Sequence, residues 1–182
     1  PVLLEGLRKL EYRGYDSAGL ALINAAGLQR LRAVGRVAEL TAQADATNAA
    51  GHTGIAHTRW ATHGVPSERN AHPHISSGLA IVHNGIIENY ASLREQLKSQ
   101  GYEFSSETDT EVIAHLIASE LTKCPDLFTA TRAAIAQLHG AYALAVVRES
   151  EPEHVVLARE GSPLLLGLSD DGNYAASDAS AL

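Results

Sequence analysis

The sequence has 182 residues, 45% of them hydrophobic and 19% charged, which suits one globular domain with a real core and excludes a disordered chain. Lys and Arg number 14 against 21 Asp and Glu, a net charge of −7, and the basic residues are scattered. That excludes a broad nucleic-acid or anionic-membrane face, which would need clustered cations. No apolar run is long enough to span a membrane and no signal peptide is visible. The single Cys124 excludes an internal disulfide framework and points to a reducing, cytoplasmic setting.

Pro1 is followed at once by an amphipathic pattern of Val2, Leu3, Leu4, Leu7 and Leu10, which predicts a helix over 2–11. A chain that opens inside a helical turn, holds no Met and stops after Ala181-Leu182 without a closing element is expected to be a piece of a longer one. Tyr12-Arg13-Gly14-Tyr15-Asp16-Ser17 is turn-rich. Strands are predicted over 19–23 and 28–33, joined by a hairpin turn with Gly27 available for positive φ. A helix over 37–46 and a short strand over 53–58 follow, then an irregular stretch to Ser77 and a buried strand over 79–83.

Asn89 is expected to cap a helix whose apolar face is Ile86, Tyr90, Leu93 and Leu97, ended by Gly101. Thr108-Asp109-Thr110-Glu111 reads as a capping box, the Thr hydroxyl meeting a first-turn N–H and Glu111 reaching back. Val112, Ile113, Leu116, Ile117 and Leu121 continue it as an apolar stripe. A further helix over 128–138 precedes strands over 141–147, 154–158, 164–168 and 173–176. Hairpins and helices come in blocks, not in βαβ alternation, which favours an α+β fold of antiparallel sheets with segregated helices.

Five of the nine histidines lie between His52 and His74. His72-Pro73-His74 invites a metal, but no Cys or close Asp/Glu set completes a tetrahedron, and no metal is expected. The ordinary alternative is a set of histidines bonding irregular backbone. His57 through Gly64 is the densest polar segment. Arg59 offers a planar fork for a carboxylate, beside Trp60, Thr62 and His63. Alternatively Trp60 plugs a core and Arg59 is a surface cation. The Asn84 side chain and Gly85 can aim donors at one point, as an oxyanion needs, or form a plain Asn-Gly turn. Asp109 in a first helical turn is stabilised by the dipole and could pair an ammonium. Cys124 precedes Pro125 with no base nearby and reads as inert packing.

Taken in order, Tyr12 through Gly19, His57 through Gly64, His83-Asn84-Gly85 and Thr108 through Glu111 resemble the glutaminase domain of the glucosamine-6-phosphate synthase (glutamine–fructose-6-phosphate aminotransferase) family. The resemblance runs over essentially the whole chain, 1–182. The Arg-Gly-x-Asp-Ser-Ala-Gly and His-Asn-Gly elements are shared with amidophosphoribosyltransferases. The two tyrosines around Arg13-Gly14 and the order Arg-Trp-Ala-Thr-His favour the fructose-6-phosphate branch.

The resemblance implies the four-layer αββα sandwich of N-terminal-nucleophile hydrolases. It implies that Arg59 binds the glutamine α-carboxylate and Asp109 its ammonium. Thr62 and His63 then line that end, with Trp60 on the loop that closes over it. Asn84 and Gly85 form the oxyanion hole, and Arg13 and Gly14 position the nucleophile. That nucleophile is an N-terminal Cys on a strand ahead of the first helix, absent from these residues, so the chain alone is expected to be inactive. The implied substrates are L-glutamine and, through a separate isomerase domain, fructose 6-phosphate. The parent is expected to be a homo-oligomer with no cofactor. The alternatives are an amidophosphoribosyltransferase-type glutaminase and a non-catalytic glutamine-binding module.

Overall fold

The computed structural model describes residues 1–60 and 64–182. Helix α1 (Val2–Leu10) buries Leu4 and Leu7. Strands β1 (Ser17–Asn24) and β2 (Gly27–Val34) form the expected hairpin. Its turn is fixed by the Asn24 side chain accepting from the Ala26 N–H (2.8 Å) and by Gly27 at φ +107°. Helix α2 (Val37–Ala46) and strand β3 (Thr53–Arg59) complete the first half. Strand β1 lies between β2 and β3, antiparallel to both. Being central, it is buried on both faces. Ala18, Leu20 and Leu22 pack with Leu4, Leu7, Val37 and Leu40 of the helices, while Ala21 and Ile23 point the other way.

The second half opens with β4 (His74–Ser76) and β5 (Leu79–Ile87), then α3 (Tyr90–Ser99), α4 (Asp109–Leu121) and α5 (Leu127–Ile135). Strands β6 (Gly140–Arg148) and β7 (Val155–Glu160) extend an antiparallel sheet of order β4-β5-β6-β7. One face, with Leu79, Ile81, Ile87, Leu144 and Val146, packs on α3, α4 and α5. The other, with Ala80, Val82 and Val147, meets Ala21, Ile23 and Ile55 of the first sheet. The order is therefore helices, sheet, sheet, helices: the four-layer αββα sandwich. Strands β8 (Leu165–Ser169) and β9 (Gly172–Ala176) form a separate hairpin. Ile113, Leu116 and Ile117 of α4 are fully buried, and each truncation to Ala would cost about 2–5 kcal/mol.

Four expectations need correction. Strand β5 does not stop at His83 but runs through Asn84 and Gly85 to Ile87, because β6 pairs it over its whole length. His83-Asn84-Gly85 is thus not a turn, and Ile86 is a half-exposed strand residue, not part of the α3 face. Strand β4 lies inside the stretch read as irregular; a turn with Ser77 (φ +48°) and Gly78 (φ +75°) folds it onto β5. Asn89 occupies the N-cap position of α3 but makes no cap bond. Its side chain donates to the Gln137 carbonyl (2.9 Å) and accepts from the His139 N–H (2.9 Å), tying α3 to the start of β6. Finally, Thr108 does cap α4 by accepting from Glu111 N–H (3.4 Å), but Glu111 does not reach back to Thr108. Its carboxylate accepts four bonds from the Ser105 and Ser106 N–H and hydroxyl groups, which lie closer.

Gly19 lets the segment before β4 lie directly on β1. A Cβ there would stand 2.0 Å from the His72 carbonyl oxygen and 2.8 Å from that of Leu31. Both obstacles are backbone and cannot rotate aside. Gly19→Ala is expected to destabilise the fold by about 2 kcal/mol or more, as overpacked cores do. Denaturant unfolding measures it, and an unchanged midpoint would contradict this packing.

Candidate active site

Arg59 closes β3 opposite Ser17 of β1 and is 4% exposed. Its Nη2 donates to the Gly64 carbonyl (3.0 Å), and Nη1 lies 3.7 Å from Asp16 Oδ1. Asp16 is itself held, because its N–H donates to the Arg59 carbonyl (3.2 Å) and Ser17 Oγ donates to its Oδ1 (2.7 Å). The guanidinium is therefore a fixed fork and not a surface cation. Trp60, next in the chain, is exposed and meets Tyr15 edge to face, ring centres 5.4 Å apart. It does not plug a core. Thr62 and His63 lie outside the described residues.

Gly14 packs against the end of β3, where a Cβ would sit 3.1 Å from the Thr58 carbonyl oxygen. Arg13 turns toward the segment after β9: its Nη2 hydrogen-bonds Ser177 Oγ and its Nη1 lies 3.6 Å from Asp178 Oδ2. Tyr12 donates to the same carboxylate (3.0 Å). Nothing in the sequence patterns marked Ser177 or Asp178 as partners of Arg13.

Asp109 begins α4 and is buried. Its Oδ2 accepts from the Ile87 N–H (2.9 Å), so it also anchors the end of β5. Asn84 and Gly85 are exposed on that strand. Gly85 sits at φ +138°, and a Cβ there would come 2.0 Å from the Ala141 carbonyl oxygen, so only glycine fits. Arg13, Arg59, Trp60, Asn84, Gly85 and Asp109 all line one cleft of about 1500 Å³ that enters between the two sheets. One opening thus presents a cation, a carboxylate and side-chain amide donors. Cys124 is not among its lining residues; it packs at the edge of the α3–α5 core.

Four histidines sit beneath these groups. The His57 and His72 rings lie 4.2 Å apart, and His72 and His74 meet edge to face at 5.1 Å. Thr110 Oγ1 lies 2.8 Å from His72 Nε2 and 3.0 Å from His83 Nδ1, and Thr108 Oγ1 lies 3.0 Å from His74 Nε2. His72, His74 and His83 thus bond the two threonines at the start of α4, whereas His57 bonds the His83 backbone. Burial, with positively charged neighbours, pushes His57 down to about 3 and holds His72 well below its ordinary value. Burial also lowers His74, against the pull of Glu111. Burial raises the Glu111 carboxyl, but hydrogen bonds from Ser106 and Ser105 outweigh that and keep it low. Among the described residues no group of three His, Cys, Asp or Glu is arranged to hold a metal, and no helix is long and apolar enough to cross a membrane.

Residues 57–182 match the family model described as a glutamine amidotransferase domain. The chain belongs to the glutamine amidotransferase family. This amidotransferase chain is 60% identical, over its full length, to the glutamine–fructose-6-phosphate aminotransferase [isomerizing] of Acidithiobacillus ferridurans. It is 57% identical to that of Shewanella oneidensis, also over its full length. It spans 30% of the length of each of these curated relatives. Among solved structures it is similar to the glutamine phosphoribosylpyrophosphate amidotransferase from B. subtilis complexed with ADP and GMP. There the TM-score is 0.85 at 29% identity, over 99% of this chain and 39% of that one. The sandwich is that of the N-terminal-nucleophile type amidotransferases, as the resemblance implied.

The histidines also set a pH limit. Folded, His57, His72 and His74 stay neutral; unfolded, each takes a proton below its ordinary value of 6.5. The unfolded state then binds more protons, so stability is full above pH 6.5 and is lost as pH falls toward 3, by about 1.4 kcal/mol per pH unit for each histidine. The Tm is expected to fall steadily from about pH 6.5 to about pH 5. A flat Tm over that range would show these imidazoles to be solvated.

Proposed function

We propose that this chain is the glutaminase part of a glutamine–fructose-6-phosphate aminotransferase, which binds L-glutamine and releases its amide nitrogen as ammonia. One observation carries the reading: Arg59, Asp109 and the Asn84–Gly85 pair open on the same cleft. That set complements an amino acid with a carboxylate at one point, an ammonium at a second and a carboxamide at a third. Arg59 grips the α-carboxylate and Asp109 takes the ammonium. Asn84 and Gly85 receive the carboxamide oxygen. Thr62, His63 and Trp60 belong to the carboxylate end, and Arg13 and Gly14 fix the backbone beside the nucleophile.

The chemistry is acyl transfer. A thiolate supplied from outside these 182 residues attacks the carboxamide carbon, and the carbonyl oxygen becomes an oxyanion. The tetrahedral species collapses: the proton removed from the thiol on activation passes to the nitrogen, the C–N bond breaks, ammonia leaves and a thioester remains. Water then releases glutamate and returns the thiol. Full-length identity of 60% to a fructose-6-phosphate enzyme supports that branch over the phosphoribosylpyrophosphate branch, which shares the fold at 29%. In the whole protein a separate domain would hold fructose 6-phosphate to accept the ammonia, and the assembly is a homo-oligomer.

Asn84 meets charge that exists only after attack, whereas Arg59 meets charge present throughout. In the full-length protein, Asn84→Ala is therefore expected to lower kcat by about 10²–10³ with little change in KM. Arg59→Ala is expected to raise KM for glutamine more than it lowers kcat. Steady-state glutamine hydrolysis by both variants decides this. A rise in KM alone for Asn84→Ala, with KM unchanged for Arg59→Ala, would overturn the assignment.

A further inference from the structure

We propose that Thr110 is a positioning residue for amide hydrolysis: its hydroxyl, bonded at once to His72 Nε2 and His83 Nδ1, locks the strand that carries Asn84 and Gly85 to the helix that carries Asp109. The inference deepens the function proposed above and rests on it.

The geometry supplies the pieces. Thr110 is 1% exposed, and its single oxygen stands 2.8 Å from one imidazole and 3.0 Å from another, on two different segments. A hydroxyl has one proton and two lone pairs, so it can accept from one ring and donate to the other. His72 Nδ1 is buried and has no hydrogen-bond partner among the described residues, so Thr110 is the hydrogen-bonding anchor of that ring.

The bridge matters because of where His83 points. Alternation along β5 puts Ile81, His83 and Ile87 on the α4 side and Val82 with Asn84 on the inter-sheet side. Thr110 thus holds the strand from its α4 face while Asn84 lies on the inter-sheet face. Its neighbour Asp109 holds the same strand at the Ile87 N–H. Two consecutive helix residues clamp the oxyanion-binding segment on both sides of Asn84–Gly85. Oxyanion donors act only when placed before the reaction begins, and small displacements are expensive in rate.

The test uses the full-length protein, with Thr110→Val, Thr110→Ser and wild type compared. Valine keeps the shape and removes the hydroxyl; serine keeps the hydroxyl. Thr110→Val is expected to lower kcat about tenfold or more with KM for glutamine changed less than about threefold, and Thr110→Ser to stay within about threefold of wild type. A role in folding alone would lower Tm without this split and without rescue by serine. ¹⁵N spectra of histidine-labelled wild type are expected to show hydrogen-bonded shifts at His72 Nε2 and His83 Nδ1. The shift of a free imidazole nitrogen at either position overturns the proposal, and decides the matter even if Thr110→Val does not fold. Wild type that turns over glutamine, with Thr110→Val unimpaired or Thr110→Ser equally impaired, overturns the positioning role alone. Wild type that does not hydrolyse glutamine overturns the function, and this role with it.

Discussion

Four consecutive side chains at the start of α4 hold the site together, and each bonds a different part of the molecule. Thr108 reaches His74 of β4, Asp109 takes the Ile87 N–H at the end of β5, and Thr110 bridges His72 and His83. Glu111 gathers the Ser105 and Ser106 donors of the preceding loop. All four are at most 4% exposed. Buried polar groups are tolerated only when paired, so leaving any one unmatched would cost about 1–3 kcal/mol. The helix N-terminus adds its dipole, which favours the two carboxylates there. The placement of Asp109, β4 and the Asn84–Gly85 segment follows from this one polar junction.

The junction also decides the charge state beneath the cleft. Burial keeps His57 and His72 neutral, so in that part of the cleft the positive charge comes from Arg59 and not from these imidazoles. Asp16 beside it orients the fork. Asp109 divides its carboxylate: one oxygen is committed to backbone, and the group as a whole still lines the cleft. A side chain that both anchors the strand and lines the cleft is hard to replace without disturbing each.

What was legible in the sequence follows from period and turn chemistry. The hairpin of β1 and β2 was readable because Asn24 and Gly27 bound it. The range of α2, Val37–Ala46, matched the expected one. The Thr108 cap was local and therefore visible. Glu111 was misread because its partners precede the box and compete at shorter range. The extension of β5 was hidden because Asn-Gly usually marks a turn. Here β6 supplies the pairing and Gly85 adopts a φ that a strand seldom shows. Strand β4 is too short to have a period. Asn89 bonds residues some 50 positions away, which no local pattern reveals. The candidate residues Arg59, Asn84, Gly85 and Asp109 stood out as residue types. Their common cleft, and the support of Asp16 and Thr110, are tertiary facts.

The central claim is that the cleft recognises an α-amino acid between Arg59 and Asp109, with its side-chain carbonyl at Asn84 and Gly85. A structure of the full-length protein with the product L-glutamate bound tests it most directly. The account predicts the α-carboxylate on the Arg59 guanidinium at about 2.7–2.9 Å, the ammonium on Asp109, and the side-chain carboxylate against Asn84 and Gly85. Glutamate bound in the reverse direction, or with its ammonium away from Asp109, would contradict it.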